Sequence, residues 1–278
     1  MLIEILKAFV IGLVEGITEW LPISSSTHIE LVSDLLKTNY SPQFFEFFEV
    51  VIQLGAILAV ILLYWKRLWP WADKTPLRKR RTWGLWLKIV IAALPAAAIG
   101  FLIDDWREEH LNNYIVKAAA LIVYGALFIV IERMRAKKDV KSGFREAEDI
   151  PDKTALGIGL FQLLSLVPGT SRSGSTILGG MLLGVSRKAS AEFSFFLAIP
   201  MMLGASLLKA AKFVIRGQLA FTGTETAALI VALVTAFAVS MFAVRALIGF
   251  IRSHSFEAFG WYRIVLGIVV ILYAVLAK

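Results

Sequence analysis

The chain has 278 residues, of which 58% are hydrophobic and only 18% charged, and it carries a formal net charge of +8. A soluble domain carries about a quarter charged residues, so this composition excludes an ordinary soluble fold. The absence of cysteine excludes disulfides, thiolate nucleophiles and zinc–thiolate sites.

In chain order, the opening run MLIEILKAFVIGLVEG lacks a basic n-region and a small-x-small cleavage site and holds Glu4 and Glu15. It is therefore expected to be retained rather than cleaved as a signal. Two apolar regions, 2–36 and 154–186, are interrupted: the first at Pro22 and a Ser/Thr run, the second at Pro168–Gly169 and another. Irregular backbone at membrane depth is tolerated only where protein or a wet cavity surrounds it. Six uninterrupted spans are predicted at 44–65, 85–103, 115–131, 191–213, 227–250 and 259–277. Each is about as long as the 17–25 residues that cross a bilayer.

Basic residues lie between these spans. The loop 66–88 carries eight Lys and Arg and the stretch 133–153 seven, whereas the loop 104–117 has only Arg107 and Lys117 beside four acids. The bias reads as topology, with 66–88 and 133–153 cytoplasmic. It does not read as a nucleic-acid surface. The first broken segment then enters from outside and the second from inside. An ungapped pairing of GLVEGITEWLPISSSTH from Gly12 with GLFQLLSLVPGTSRSGS from Gly159 matches Ser24 with Ser171 and Ser26 with Ser173. The expected fold is an all-α polytopic membrane protein built as an inverted-topology repeat. Each half is a broken re-entrant helix hairpin plus three transmembrane helices. Residues 1–133 form the first half, 134–153 a cytoplasmic linker and 154–278 the second half. Such repeats place a site where the broken helices meet.

Two polar clusters sit in these breaks. Glu15 and Glu19 are four apart and share a helix face. A charge inside a membrane helix costs roughly 2.5–3.5 kcal/mol, so two on one face call for a ligand. Hard carboxylate oxygens suit a divalent metal, Mg²⁺ or Ca²⁺. Pro22 is expected to end this helix, and Ser24, Ser25, Ser26 and Thr27 to open the next, whose N-terminus can bind phosphate. His28, three residues beyond Ser25, allows a nucleophile–base pair. Gln53, one turn from Glu49, is a further candidate donor. In the second break, Gly169, Thr170, Ser171, Arg172, Ser173, Gly174 and Thr176 combine close backbone approach, hydroxyls and a guanidinium that grips phosphate bidentately. The expectation is that the two clusters converge on one ligand.

Glu15-Gly-Ile-Thr-Glu19-Trp-Leu-Pro22-Ile-Ser-Ser and Pro168-Gly-Thr-Ser-Arg172-Ser-Gly resemble the two signature motifs of the bacitracin-resistance type of undecaprenyl-pyrophosphate phosphatase. Phe48–Gly55 and Glu192-Phe-Ser-Phe also resemble that family. The resemblance implies hydrolysis of undecaprenyl pyrophosphate to the monophosphate, with a divalent metal, at the outer face of the bacterial inner membrane. That reaction recycles the lipid carrier of peptidoglycan synthesis. The resemblance implies metal binding or proton transfer by Glu15 and Glu19, Ser25 as nucleophile, His28 as its proton partner and Arg172 as phosphate clamp. Thr27 stands where the family reads glycine, so a left-handed backbone there is expected to be strained. A transporter or flippase of a phosphorylated polyprenyl lipid is the rival function. The sequence leaves the oligomeric state open, a homodimer included.

Overall fold

The computed structural model describes residues 1–72, 75–137, 143–215, 217 and 221–276. Lys74, residues 138–142 of the expected linker and the last residue of the expected span 259–277 lie outside them. Among the described residues the regular structure is helical: α1 Leu2–Thr18, α2 Ser25–Leu36, α3 Pro42–Leu63, α4 Trp65–Leu68, α5 Pro76–Leu111, α6 Tyr114–Lys137, α7 Asp152–Gln162, α8 Arg172–Leu182, α9 Arg187–Ile215, α10 Gly223–Phe250 and α11 Glu257–Leu276. Six of these, α3, α5, α6, α9, α10 and α11, are long and apolar enough to cross a membrane. The chain is a multi-pass membrane protein.

Start signals explain several boundaries. Ser41 caps α3 by accepting the Phe44 N–H at 3.2 Å, and Pro42 takes the first helical position. Two expected loops are corrected. Residues 76–88 and 104–111 belong to α5, a helix of 36 residues that spans about 54 Å at 1.5 Å per residue. Its charged ends extend past a hydrocarbon core of about 30 Å, so helix rather than loop carries those charges. The described part of the linker is also ordered. Gly143 N–H donates to Gly184 O at 3.1 Å, Phe144 bridges Val185, and Ala147–Asp149 form a 3-10 turn.

The chain divides into two compact units. The first comprises Met1–Trp20, Ser25–Trp65 and Ala198–Ala246. In it α1 packs on α2 and α3, around a core of Ala8, Ile11, Ile29, Phe44, Phe48, Ile52, Ala228 and Ala232. The Phe44 ring meets Tyr40 and Phe221 edge-on, each at 5.2 Å, a favoured aromatic geometry. The second unit comprises Leu21–Ser24, Lys66–Leu197 and Leu247–Lys278. In it α6 packs on α11, and α7 lies against both α5 and α8. The buried Glu132 on α6 accepts from Arg187 at 2.5 Å and from the Phe256 N–H at 2.8 Å. Large apolar side chains such as Leu58, Leu94, Phe101, Leu207, Phe242 and Leu272 face outward, the surface that a bilayer covers.

Candidate active site

Two helix breaks position the candidate residues. The first follows α1. Glu19 keeps helical dihedrals (φ −61°, ψ −38°) and its N–H donates to Glu15 O at 3.0 Å. Glu15 and Glu19 therefore stay one turn apart on one face, and both are buried. The regular helix stops at Thr18, so Pro22 lies inside the break instead of ending the helix as expected. A tight turn closes the break, with Ile23 N–H on Leu21 O at 2.8 Å.

Ser24 then adopts φ +72°, a left-handed conformation that a serine reaches only at a cost. It turns the chain so that α2 starts at Ser25. The Ser25 hydroxyl donates to Glu19 Oε2 at 2.5 Å, a short hydrogen bond. A carboxylate on a serine hydroxyl is a nucleophile already facing a proton acceptor. His28 is buried one turn along α2, on the face of Ser25. Ser26 is exposed, and Thr27 is fully buried.

The strain expected at Thr27 is corrected. Thr27 lies inside α2 and its φ is not positive. The unusual backbone falls three residues earlier, at Ser24, so threonine is accommodated where the family reads glycine. Gln53 lies half-buried on α3, and its amide makes no hydrogen bond among the described residues.

The second break follows α7. A 3-10 turn, Leu163–Leu166, leads to Pro168 and to Gly169 at φ +87°. A Cβ on Gly169 would stand 2.4 Å from Lys117 O, so both the dihedral and the space require glycine. Ser171, at φ +71°, caps α8 by accepting the Gly174 N–H at 3.1 Å. Arg172 opens α8, and its Nη1 donates to Ser194 O at 2.7 Å on α9. Thr176 donates to Ser194 Oγ at 2.8 Å and Ser173 to Leu21 O at 3.1 Å. Thr170, Ser173, Gly174 and Thr176 are buried. Most of these hydroxyls thus hold the break in shape.

One residue was missed from the sequence. Arg263 on α11 is fully buried and donates to Pro22 O at 2.9 Å and to Gly169 O and Thr170 O at 3.0 Å. A lone cation within the apolar run 259–277 was the available signal.

Among the described residues no three acids or histidines are grouped as metal ligands. Glu15 and Glu19 nonetheless fit a hard cation, because Mg²⁺ is commonly held by one or two carboxylates plus phosphate oxygens and water. A cavity of about 730 Å³ elsewhere, in the second unit, is lined by Arg67, Arg78, Arg81, Glu146, Glu148 and Asp149 and by none of the candidate residues. Its three arginines stand against three acids.

The family described as Bacitracin resistance protein BacA matches residues 8–269. The chain belongs to this family. Proteins named undecaprenyl-diphosphatase are similar to it nearly end to end. One from Streptococcus thermophilus is 53% identical over 273 residues, covering 98% of this chain and 94% of its own length. One from Acetivibrio thermocellus is 51% identical, covering 98% of both chains, and one from Enterococcus faecalis is 50% identical, covering 97% of both. Both breaks of this BacA-family chain fall within the matched residues.

Proposed function

We propose that the chain is a membrane phosphatase that converts undecaprenyl pyrophosphate and water to undecaprenyl phosphate and inorganic phosphate. The observation that carries this reading is the 2.5 Å hydrogen bond from Ser25 to Glu19. Ser25 Oγ attacks the terminal phosphorus and its proton passes to Glu19. The bond from that phosphorus to the bridging oxygen breaks, and undecaprenyl phosphate leaves. Water then cleaves the phosphoserine and releases inorganic phosphate, with His28 as the neighbouring proton carrier. Arg172, at the positive end of α8, binds the phosphate oxygens. Glu15 and Glu19 are the residues that would hold Mg²⁺ or Ca²⁺. The cation, when bound, neutralises charge gathering on the phosphoryl oxygens. Ser24, Ser26, Thr27, Gln53 and the Gly169–Thr176 run are proposed to surround the substrate head group.

The inverted repeat is supported by a shared backbone feature. Ser24 and Ser171, which match in the ungapped pairing, take φ values of 72° and 71° immediately ahead of α2 and α8. We place the chain in the bacterial cytoplasmic membrane with the site opening outward, because the Lys and Arg excess assigns 66–88 and 133–153 to the cytoplasm. The carrier would be recycled for peptidoglycan synthesis, and rapid recycling would confer bacitracin resistance. The test is phosphate release by purified protein in detergent, with and without chelator. Release that the chelator suppresses supports the phosphatase and its cation. Lipid movement in vesicles without phosphate release would replace it with the flippase.

A further inference from the structure

Among the described residues Arg263 meets no acid. Its hydrogen-bond acceptors are all backbone carbonyls: Pro22, Gly169 and Thr170 at 2.9–3.0 Å, and Ala120 and Leu121 at 3.5 Å. Its guanidinium carbon lies 5.8 Å from the Tyr124 ring centroid. A buried cation is costly unless its surroundings use it, and this one grips the backbone of both breaks at once. Nη1 takes Pro22 and Nη2 takes Gly169 and Thr170.

The direction of the grip matters. Every peptide bond among the described residues is trans, so the N–H of Ser171 points opposite to the Thr170 carbonyl and hence away from Arg263. No backbone carbonyl among the described residues accepts from that N–H. It heads the first turn of α8, whose remaining donors converge on the same end. Ser171 holds this attitude at φ +71°, a dihedral that persists only where the surrounding structure fixes it.

We propose that Arg263 is a positioning residue for pyrophosphate recognition. By anchoring the Gly169 and Thr170 carbonyls it aims the Ser171 N–H and the start of α8 at the phosphate, and it adds positive charge behind them. This inference rests on reading the second break as the phosphate-binding segment. Lysine cannot replace it, because a single ammonium does not present two separated donor nitrogens. Gly174 offers a milder probe. A Cβ there would lie 3.1 Å from Arg263 Nη1 and 3.2 Å from Ser171 Cβ, so alanine displaces both by a few tenths of an ångström and keeps the charge.

The experiment uses the purified full-length protein in detergent. It compares wild type, Arg263→Lys, Gly174→Ala and Arg172→Ala for KM and kcat on undecaprenyl pyrophosphate and for inhibition by inorganic pyrophosphate. For Arg263→Lys, KM and the pyrophosphate inhibition constant are expected to rise about tenfold, the worth of one charge-assisted hydrogen bond, with kcat much less affected. Gly174→Ala moves the same two constants in the same direction and retains the wild-type melting temperature. Wild-type values of both constants in either folded variant overturn the proposal, and so does a loss of melting temperature with no change in either constant. Should Arg263→Lys not fold, Gly174→Ala decides alone. Wild-type pyrophosphate inhibition in Arg172→Ala would instead sink the phosphate-binding assignment itself, a distinct result.

Discussion

Ser25 and Glu19 are joined across six residues of chain by a 2.5 Å hydrogen bond, and the turn between them makes this possible. A helix running on through Ser25 would carry its hydroxyl away from Glu19. The left-handed Ser24 reverses the course so that α2 restarts with Ser25 at its first position. The pairing of Ser25 with a carboxylate was not legible in the sequence, where spacing alone favoured His28. Which acceptor meets the hydroxyl depends on the path of Leu21–Ser24, and no periodicity encodes that. Thr27 shows the same gap. Its departure from the family glycine is visible in sequence, but the place of the unusual dihedral is not. Because Thr27 is helical and buried, Thr27→Gly is expected to lower stability by about 0.3 kcal/mol through helix propensity alone, and by about 1 kcal/mol or more with the packing of the buried side chain lost. Thermal unfolding in detergent checks this, and a higher melting temperature would restore a strained Thr27.

At the scale of elements, the apolar spans were readable because a bilayer imposes a length and a composition. Among the described residues each of the six expected spans falls within one helix, save residues 64–65 at the end of the first. The polar extensions of α5 were not readable. Charge outside the hydrocarbon is equally compatible with helix or loop, and tertiary support decides. That support is visible where Arg81 on α5 meets Asp149 at 3.3 Å and Lys88 donates to Glu148 O at 2.6 Å. Close packing was equally hidden. Gly125 on α6 and Gly260 on α11 face each other so tightly that a Cβ on either would lie 2.7 Å from the other's carbonyl oxygen. Small residues at such crossings let membrane helices approach closely. Gly125→Leu is expected to force α6 and α11 apart and to cost about 1–3 kcal/mol by overpacking. It should lower the melting temperature, and it threatens Arg263, which sits three residues along α11. An unchanged melting temperature would contradict this packing.

At the scale of the whole molecule, Arg67 on α4 ties the linker to α9 within the second unit. Arg67 chelates Glu148 at 2.6 and 2.8 Å and also reaches Glu192 at 2.9 Å. Burial alone would push the Glu148 carboxyl up, but the Arg67 hydrogen bonds and charge outweigh it and hold it below its ordinary 4.5. A lowered folded-state value stabilises the fold fully above about pH 4.5, and that contribution is lost as the pH falls below it. Between pH 6 and 3.5 the wild type should therefore lose melting temperature more steeply than Glu148→Gln. Parallel curves would assign the acid sensitivity to other groups.

The central claim is that a serine facing a carboxylate in the first break performs phosphoryl transfer in a membrane protein. The most direct test is the rate of phosphate release from undecaprenyl pyrophosphate by purified wild type, Ser25→Ala and Glu19→Gln in the same detergent. Removing either member of a nucleophile–base pair is expected to slow release by about 10²–10⁴-fold, with each variant folded as judged by its melting curve. Phosphate release by folded Ser25→Ala at the wild-type rate would contradict the claim.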